Sequence, residues 1–335
     1  MNDASADPFG DRARFRRPDC PLPPAKPGER RLGDLFGNEV DASTTLVIAG
    51  FPCDEGVRRN GGRVGAADGP TAIRNALWRM MPDPRLPEMA ALLGRICDLG
   101  DLEVSGDLER DQAALGAALA PHAAAGRTVV VLGGGHETAY GMLLGHAGAG
   151  REVFIVNIDA HPDVRPLREI DGVLRGHSGS PFRQALEHPS KSCCGYAVAG
   201  LQPSAVSAEH LAWMRSQDAT AVFIDELPRD AAGRPDPLAA LPPWRDSSDE
   251  RHASIMASLD LDAVAASAAP GVSAPSPAGL PVESWLAAAE RLGGDPRVAS
   301  LDVVELSPPH DGDGRTARLA ALTVWRFLRG WSGRA

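Results

Sequence analysis

The sequence predicts an α/β fold: a mainly parallel sheet covered by helices on both faces. Three observations carry the prediction. Short, β-branched apolar runs alternate with segments that read as helices along most of the chain. Those runs are apolar at consecutive positions, as in strands buried on both faces, and lack the alternation of a strand with one wet face. Ligand-type residues recur at or just after the ends of four runs, at His136, Asp159, Asp260 and Glu305. In parallel sheets the functional crevice lies beyond the carboxyl ends of the strands.

Residues 1–40 are rich in Pro, Arg and Asp and read as an N-terminal arm with little regular structure. Residues 41–335 read as one domain. Residues 45–50 (TLVIAG) are the first expected strand, and 70–80 (PTAIRNALWRM) a helix with Pro at its start. A short strand over 96–99 precedes an alanine-rich helix over 112–125. Residues 128–132 (TVVVL) form a strand that runs into Gly133-Gly-Gly-His-Glu137 and a helix over 138–144. Further strands are expected at 153–158, 196–201, 221–224, 253–261 and 298–304, and helices at 208–217, 281–292 and 315–328. Two connections are long. Residues 163–192 follow a candidate ligand cluster, so a functional loop is expected there. Residues 227–251 carry no candidate ligands and are expected to be a surface excursion.

A net charge of -10 gives a nucleic-acid partner no electrostatic support. No apolar run approaches the ~20 residues of a membrane helix. The opening MNDASADPFGDRARFRRP lacks the apolar core of a signal peptide. Five cysteines, an odd number, are expected to be free thiols in a reducing cytoplasm.

Two acidic motifs dominate the chemistry. Asn157-Ile-Asp-Ala-His-Pro-Asp-Val-Arg165 and Ser258-Leu-Asp-Leu-Asp262 each close an expected strand, with Asp159, His161 and Asp163 in one and Asp260 and Asp262 in the other. Residues two apart on a strand share a face. Carboxylates crowded there repel one another and lose hydration, a cost that a multivalent cation removes. His136 completes six candidate ligands. The four Asp side chains match the charge of two divalent ions, whereas one ion leaves two negative charges uncompensated. Oxygen-rich donors with a minority of imidazole favour Mn²⁺, with Zn, Co or Fe also accommodated. Two such ions roughly 3.5–4 Å apart can generate a hydroxide near neutral pH, a nucleophile that needs no Ser or Cys. Singly, the motifs have plainer readings: GGGHE as a tight turn into a helix, SLDLD as a helix cap. Together, in this order and at strand ends, they read as a metal hydrolase site.

The order GGGHE (133–137), DAHPD (159–163), SLDLD (258–262) and DVVELSP (302–308) resembles the ureohydrolases, the family of arginase, agmatinase and formimidoylglutamase, over roughly residues 45–330. The resemblance implies a three-layer α/β/α domain with a central, mainly parallel eight-stranded sheet. It also implies a binuclear manganese centre, two Mn²⁺ per chain, held by His136, Asp159, His161, Asp163, Asp260 and Asp262. The flanks are most similar to formimidoylglutamase. They include Gly56-Val-Arg-Arg-Asn-Gly-Gly-Arg-Val-Gly-Ala66 with Gly69-Pro70, and GGGHE in place of the GGDHS of arginases and agmatinases. Ser178-Gly-Ser-Pro-Phe-Arg183 and Ala269-Pro-Gly-Val-Ser-Ala-Pro275 are also similar. The AVAASAAPG that follows Asp262 departs from arginases, which usually carry Asp-Pro there.

The reaction this resemblance implies is hydrolysis of N-formimino-L-glutamate to L-glutamate and formamide, a step of histidine degradation, by a hydroxide held between the metals. His177 sits near the family's proton-shuttling histidine. Glu305 matches the acidic residue that pairs with the substrate's cationic nitrogen. The substrate carries two carboxylates, and Arg suits bidentate carboxylate binding. Arg63, Arg165 and Arg183, with Asn60, are the candidate substrate contacts, although each Arg alone also reads as a solvated surface charge. The family tends towards trimers and hexamers, so a homo-oligomer is expected. Two other readings stay open. A ureohydrolase acting on arginine, guanidinobutyrate or another guanidino acid releases urea. A non-catalytic metal-binding scaffold takes up Mn²⁺ without turnover.

Overall fold

The structure, a computed structural model, describes residues 14–22, 24, 26–246 and 248–334. Its strands are β1 (Phe15–Arg16), β2 (Leu46–Phe51), β3 (Ile96–Leu102), β4 (Thr128–Gly133), β5 (Val153–Ile158), β6 (Arg168–Ile170), β7 (Val173–Arg175), β8 (Cys193–Leu201), β9 (Thr220–Phe223), β10 (Ile255–Asp260) and β11 (Val298–Val304). Among the described residues, nine of them make one sheet in the order β1-β3-β2-β4-β11-β10-β5-β8-β9. All neighbours are parallel except β1, which runs antiparallel along β3. The eight parallel strands are those expected from the apolar runs. The ninth comes from the N-terminal arm.

The helices are α1 (Leu32–Leu35), α2 (Glu55–Asn60), α3 (Gly69–Leu77), α4 (Pro87–Leu93), α5 (Leu108–Ala124), α6 (Thr138–Gly148), α7 (Pro181–Glu187), α8 (Ala208–Ser216), α9 (Pro242–Arg245), α10 (Val282–Gly294) and α11 (Arg315–Trp331). Buried residues of α1, α3, α4, α10 and α11 pack on one face of the sheet with Leu46, Ile48, Val130 and Leu132. Those of α5, α6, α7 and α8 pack on the other with Val47, Ala49, Val129 and Val131. Successive strand residues thus feed opposite cores, which is why the runs are apolar without alternation. The result is a three-layer α/β/α arrangement. In α11 the buried positions Leu319, Ala320, Thr323, Val324, Phe327, Leu328 and Trp331 recur at spacings of three and four, one stripe of a helix. Helix α5 starts four residues earlier than expected, because Asp107 accepts the Arg110 N–H and caps a polar first turn.

Two expectations need correction. Residues 1–13 lie outside the described residues, but the rest of the arm is more regular than its composition indicates. It supplies β1, and Leu32, Leu35 and Phe36 join the core. The 227–251 segment is not a free surface excursion either, since Leu238 and Leu241 are fully buried in that core. The 163–192 segment carries the antiparallel pair β6–β7 and then α7. All five cysteines are free thiols.

The sheet order positions the site. β4, β11, β10 and β5 are consecutive neighbours, with Leu132 level with Val303, Val304 with Asp260, and Leu259 with Ile158. Their carboxyl ends therefore open side by side at the middle of the sheet.

Candidate metal centre

Each of those four ends delivers a candidate. His136 follows β4 by three residues, Asp159 directly follows β5, Asp260 ends β10, and Glu305 directly follows β11. The triple glycine before His136 is a packing requirement. A Cβ on Gly134 would lie 2.0 Å from the Cys53 carbonyl oxygen, and one on Gly133 2.6 Å from Val304 Cγ1. Only glycine lets the turn pass between those chains.

His136 Nδ1 is enclosed and makes no hydrogen bond, yet Asp260 Oδ2, Asp163 Oδ2 and Asp159 Oδ2 lie 2.9, 3.0 and 3.3 Å from it. One ligand atom from each of these four residues falls within a 4.8 Å group. Asp159 turns its other oxygen to a second imidazole: Oδ1 is 3.5 Å from His161 Nδ1, which is 3.9 Å from Asp262 Oδ2. The carboxylates are held from behind. The His161 N–H donates to Asp159 Oδ1 and the Asp262 N–H to Asp260 Oδ1, both at 2.7 Å. The Ala274 N–H donates to Asp262 Oδ1 at 3.2 Å. Asn157 Nδ2 donates to Asp159 Oδ2 at 3.1 Å and to the Tyr196 hydroxyl at 3.2 Å, and that hydroxyl donates to the Pro162 carbonyl at 2.8 Å.

Asp163 and Glu305 both sit at positive φ, 45° and 69°. For a residue other than glycine this is a strained conformation, sustained only where neighbours fix it. At Glu305 they do: its N–H donates to the Gly134 carbonyl at 2.8 Å, and its Oε1 accepts the His136 N–H at 2.7 Å. Its Oε2 is buried without a partner.

The crowding moves titrations in opposite directions. Burial, and then the Asp159 charge, raises the Asp260 carboxyl well above the usual range, and burial followed by Asp260 does the same to Asp262. Burial opposes charge on His136, but Asp159, Asp163 and Asp260 together raise it well above an ordinary imidazole. His161 is lifted to about 9 against its burial, chiefly by Asp159. Burial would raise Asp159, yet the two imidazoles pull it below the ordinary carboxylate value. The cluster thus needs positive charge at the atoms where a divalent cation would place it. Nitrogen and oxygen donors in this mixture fit Mn²⁺ and its neighbours.

The remaining candidates divide. The His177 imidazole accepts the Gly179 N–H at Nδ1 and meets the Pro166 carbonyl at Nε2, both at 3.1 Å. Burial lowers its pKa, so the ring is neutral at neutral pH. Asn60 Nδ2 donates to Ser178 Oγ at 3.1 Å. Asn60 and Arg165 flank one point: a Cβ on Gly179 would lie 3.0 Å from Asn60 Nδ2 and 3.3 Å from Arg165 Nε. Arg183 lies over the Trp213 ring at 4.3 Å and donates to the Val164 carbonyl at 3.1 Å. Arg63 is engaged elsewhere. Its guanidinium donates to the carbonyls of Pro270, Val272 and Ser273, fastening the loop that contacts Asp262.

Two further residues escaped the sequence reading. His210 on α8 has its imidazole lowered by burial and then by the Arg165 charge. Glu137 is fully buried. Its Oε1 accepts the Gly56 N–H at 2.7 Å, and burial, then Glu305, pushes it up to about 8. The signal for Glu137 was present: an acidic residue inside an apolar-flanked glycine turn. Nothing local marked His210.

Fold and site together define an α/β/α protein with a carboxylate-rich, imidazole-containing metal crevice at the strand ends. The arginase family model matches residues 44–329, and this chain belongs to the arginase family. It is 41% identical over 293 residues to the formimidoylglutamase of Nocardia farcinica (strain IFM 10152), covering 85% of this chain and 86% of that one. It is 37% identical over 302 residues to the formimidoylglutamase of Geobacillus thermodenitrificans (strain NG80-2), covering 89% and 88%. Among solved structures, Trypanosoma cruzi formiminoglutamase with Mn²⁺ matches with a TM-score of 0.79 at 30% identity, covering 91% of this chain and 99% of that one.

Proposed function

We propose that this chain is a binuclear-manganese hydrolase that cleaves N-formimino-L-glutamate to L-glutamate and formamide. The observation that carries the metal reading is Asp159, which presents one carboxylate oxygen to His136 at 3.3 Å and the other to His161 at 3.5 Å. In this reading His136, Asp159, His161, Asp163, Asp260 and Asp262 would hold the ions, with His136, Asp159, Asp163 and Asp260 grouped around one of them. Metal bound there supplies an acidified water and a Lewis acid for the C–N bond.

The chain's own groups do the rest. Glu305 is fixed through Oε1, and its buried, unpartnered Oε2 is the acceptor for the cationic nitrogen of the amidine. His177, kept neutral by burial, carries the proton to the leaving amine, and its Nε2 leaves the Pro166 carbonyl to do so. Arg165, which stands beside Asn60 at Gly179, and Arg183, held on the Val164 carbonyl, form a cationic rim suited to carboxylates. Arg63 acts one step back, by holding the 270–273 loop against Asp262. Residues 41–335 form the one catalytic domain, and the working form is a cytoplasmic homo-oligomer, a trimer or hexamer. Among the described residues no helix is long and apolar enough to cross a membrane.

The test is turnover by the Mn²⁺-loaded protein. Formamide release from formiminoglutamate is expected to exceed urea release from arginine or guanidinobutyrate. Faster urea release overturns the substrate and leaves the metal site standing. Two bound Mn²⁺ with no hydrolysis of any amidine supports a scaffold instead.

A further inference from the structure

We infer that Asp302 and Ser258 form a relay that sets the tautomer and orientation of the His136 imidazole as a metal ligand, a role that rests on the metal reading above. His136 Nε2 lies 2.9 Å from Ser258 Oγ, and Ser258 Oγ donates to Asp302 Oδ1 at 2.6 Å. His136, Ser258 and Asp302 are all 0% exposed, so these groups are closed off from bulk solvent.

The tautomer follows from counting hydrogens. A hydroxyl has one proton. Ser258 directs it to Asp302, so towards His136 it offers only a lone pair. When a cation takes the place of the proton at Nδ1, the remaining His136 proton is therefore kept on Nε2, and the Nδ1 lone pair is directed into the space among the oxygens of Asp159, Asp163 and Asp260. The opposite tautomer sets lone pair against lone pair at Ser258. The serine could relieve that only by turning from Asp302, which would strip a buried carboxylate oxygen of its donor.

Register builds the relay. Ser258 on β10 is directly paired with Asp302 on β11, and β11 lies next to β4, whose turn carries His136. The Phe182 ring stands edge-on to the imidazole at 5.1 Å and closes its other side. Outer partners of this kind typically change metal affinity by about 10–100-fold when removed. Ser258 and Asp302 are positioning residues, because neither touches the reacting atoms.

The full chain and the variants Ser258→Ala, Ser258→Thr, Asp302→Asn, Ser258→Ala/Asp302→Asn and His136→Ala are titrated with Mn²⁺. Free metal is followed by electron paramagnetic resonance of the aquo ion, and folding by circular dichroism and thermal midpoint. Ser258→Ala is expected to weaken one of the two sites by about 10–100-fold and leave the other unchanged. Ser258→Thr, which keeps the hydroxyl, binds Mn²⁺ more tightly than Ser258→Ala and close to the parent chain. Asp302→Asn, with a neutral acceptor, weakens the same site by less, and adding it to Ser258→Ala weakens binding no further. Parent-like binding by Ser258→Ala, Ser258→Thr as weak as the alanine variant, or an Asp302→Asn effect independent of Ser258 overturns the relay. If the alanine variant does not fold, Ser258→Thr and Asp302→Asn carry the comparison. Mn²⁺ uptake by His136→Ala equal to that of the parent chain, or no uptake by the parent, overturns the metal reading itself.

Discussion

Replacing Gly56 by alanine separates two opposing effects, and the structure decides which wins. Gly56 lies in α2, where alanine is the better helix former by roughly 0.5–1 kcal/mol. On propensity alone the variant should be more stable. A Cβ at position 56 would, however, lie 2.5 Å from Glu137 Cδ and 2.6 and 2.8 Å from its two oxygens. The carboxyl is closely confined: it is fully buried and lies so near the Gly135 backbone that an added Cβ there would come within 2.1 Å of Glu137 Oε2. Overpacking of this kind costs about 1–3 kcal/mol. Disturbing the 2.7 Å bond from the Gly56 N–H to Glu137 Oε1 leaves a buried donor short of its acceptor, for about 1–3 kcal/mol more. Less the helix-propensity gain, Gly56→Ala is therefore expected to destabilise by roughly 1–5 kcal/mol. Glu137→Ala alone loses the same hydrogen bond and opens a cavity, with a cost of similar size, about 2–4 kcal/mol. In the double variant the methyl group added at position 56 enters the space the carboxyl left, so the two effects fall short of their sum by about 1–3 kcal/mol. Urea unfolding of all four proteins at pH 7, with the m-value checked for constancy, measures the coupling. A stabilised Gly56→Ala, or additivity within about 0.5 kcal/mol, refutes this account of the Gly56–Glu137 contact.

Two other outcomes follow from the same reasoning. His146 is 3% exposed, and burial, then Arg151, lowers its imidazole to about 4. Its folded value lies below the unfolded one near 6.5, so the unfolded chain binds the proton first. This contribution to stability is present above about pH 6.5 and is lost as pH falls towards 4, by roughly 3 kcal/mol at the limit. The urea midpoint of the parent chain should fall more steeply over that window than that of His146→Gln, and parallel slopes would remove His146 as the cause. Arg165→Ala should raise KM for formiminoglutamate roughly tenfold to hundredfold, the size of one charged hydrogen bond, with Mn²⁺ content unchanged. An unaltered KM takes Arg165 out of the carboxylate grip.

The parallel sheet was legible because burial on both faces writes itself into consecutive apolar positions, as at Val129, Val130, Val131 and Leu132, which feed the two cores in turn. What was not legible depends on partners far away in sequence. The Phe15–Arg16 strand is too short to carry a pattern and exists only through β3. Leu238 and Leu241 sit in a Pro-rich stretch and gain meaning only from the core they enter. Arg63 and Arg165 look alike along the chain. The first is tied to the carbonyls of Pro270, Val272 and Ser273, and the second stands beside Asn60 at Gly179, a difference that exists only in three dimensions.

The acidic motifs gather their carboxylates by turns and not by the pleat of a strand. Period two along a strand cannot gather them, because β10 ends at Asp260 and β5 ends before Asp159. The grouping is made by turns. The Asp262 N–H folds back onto Asp260 Oδ1 and the His161 N–H onto Asp159 Oδ1, each carboxylate capping the backbone two residues on. Asp163 then reaches the cluster only by taking a φ of 45°. An Asp two residues past another Asp at a strand end is thus informative for a different reason. It records a side chain that can accept its own chain's amide and still present an oxygen to a cation. A pleat would hold both carboxylates at a fixed separation along the strand. The turns instead let Asp159 face His136 and His161 at once, which is the geometry a two-ion site requires.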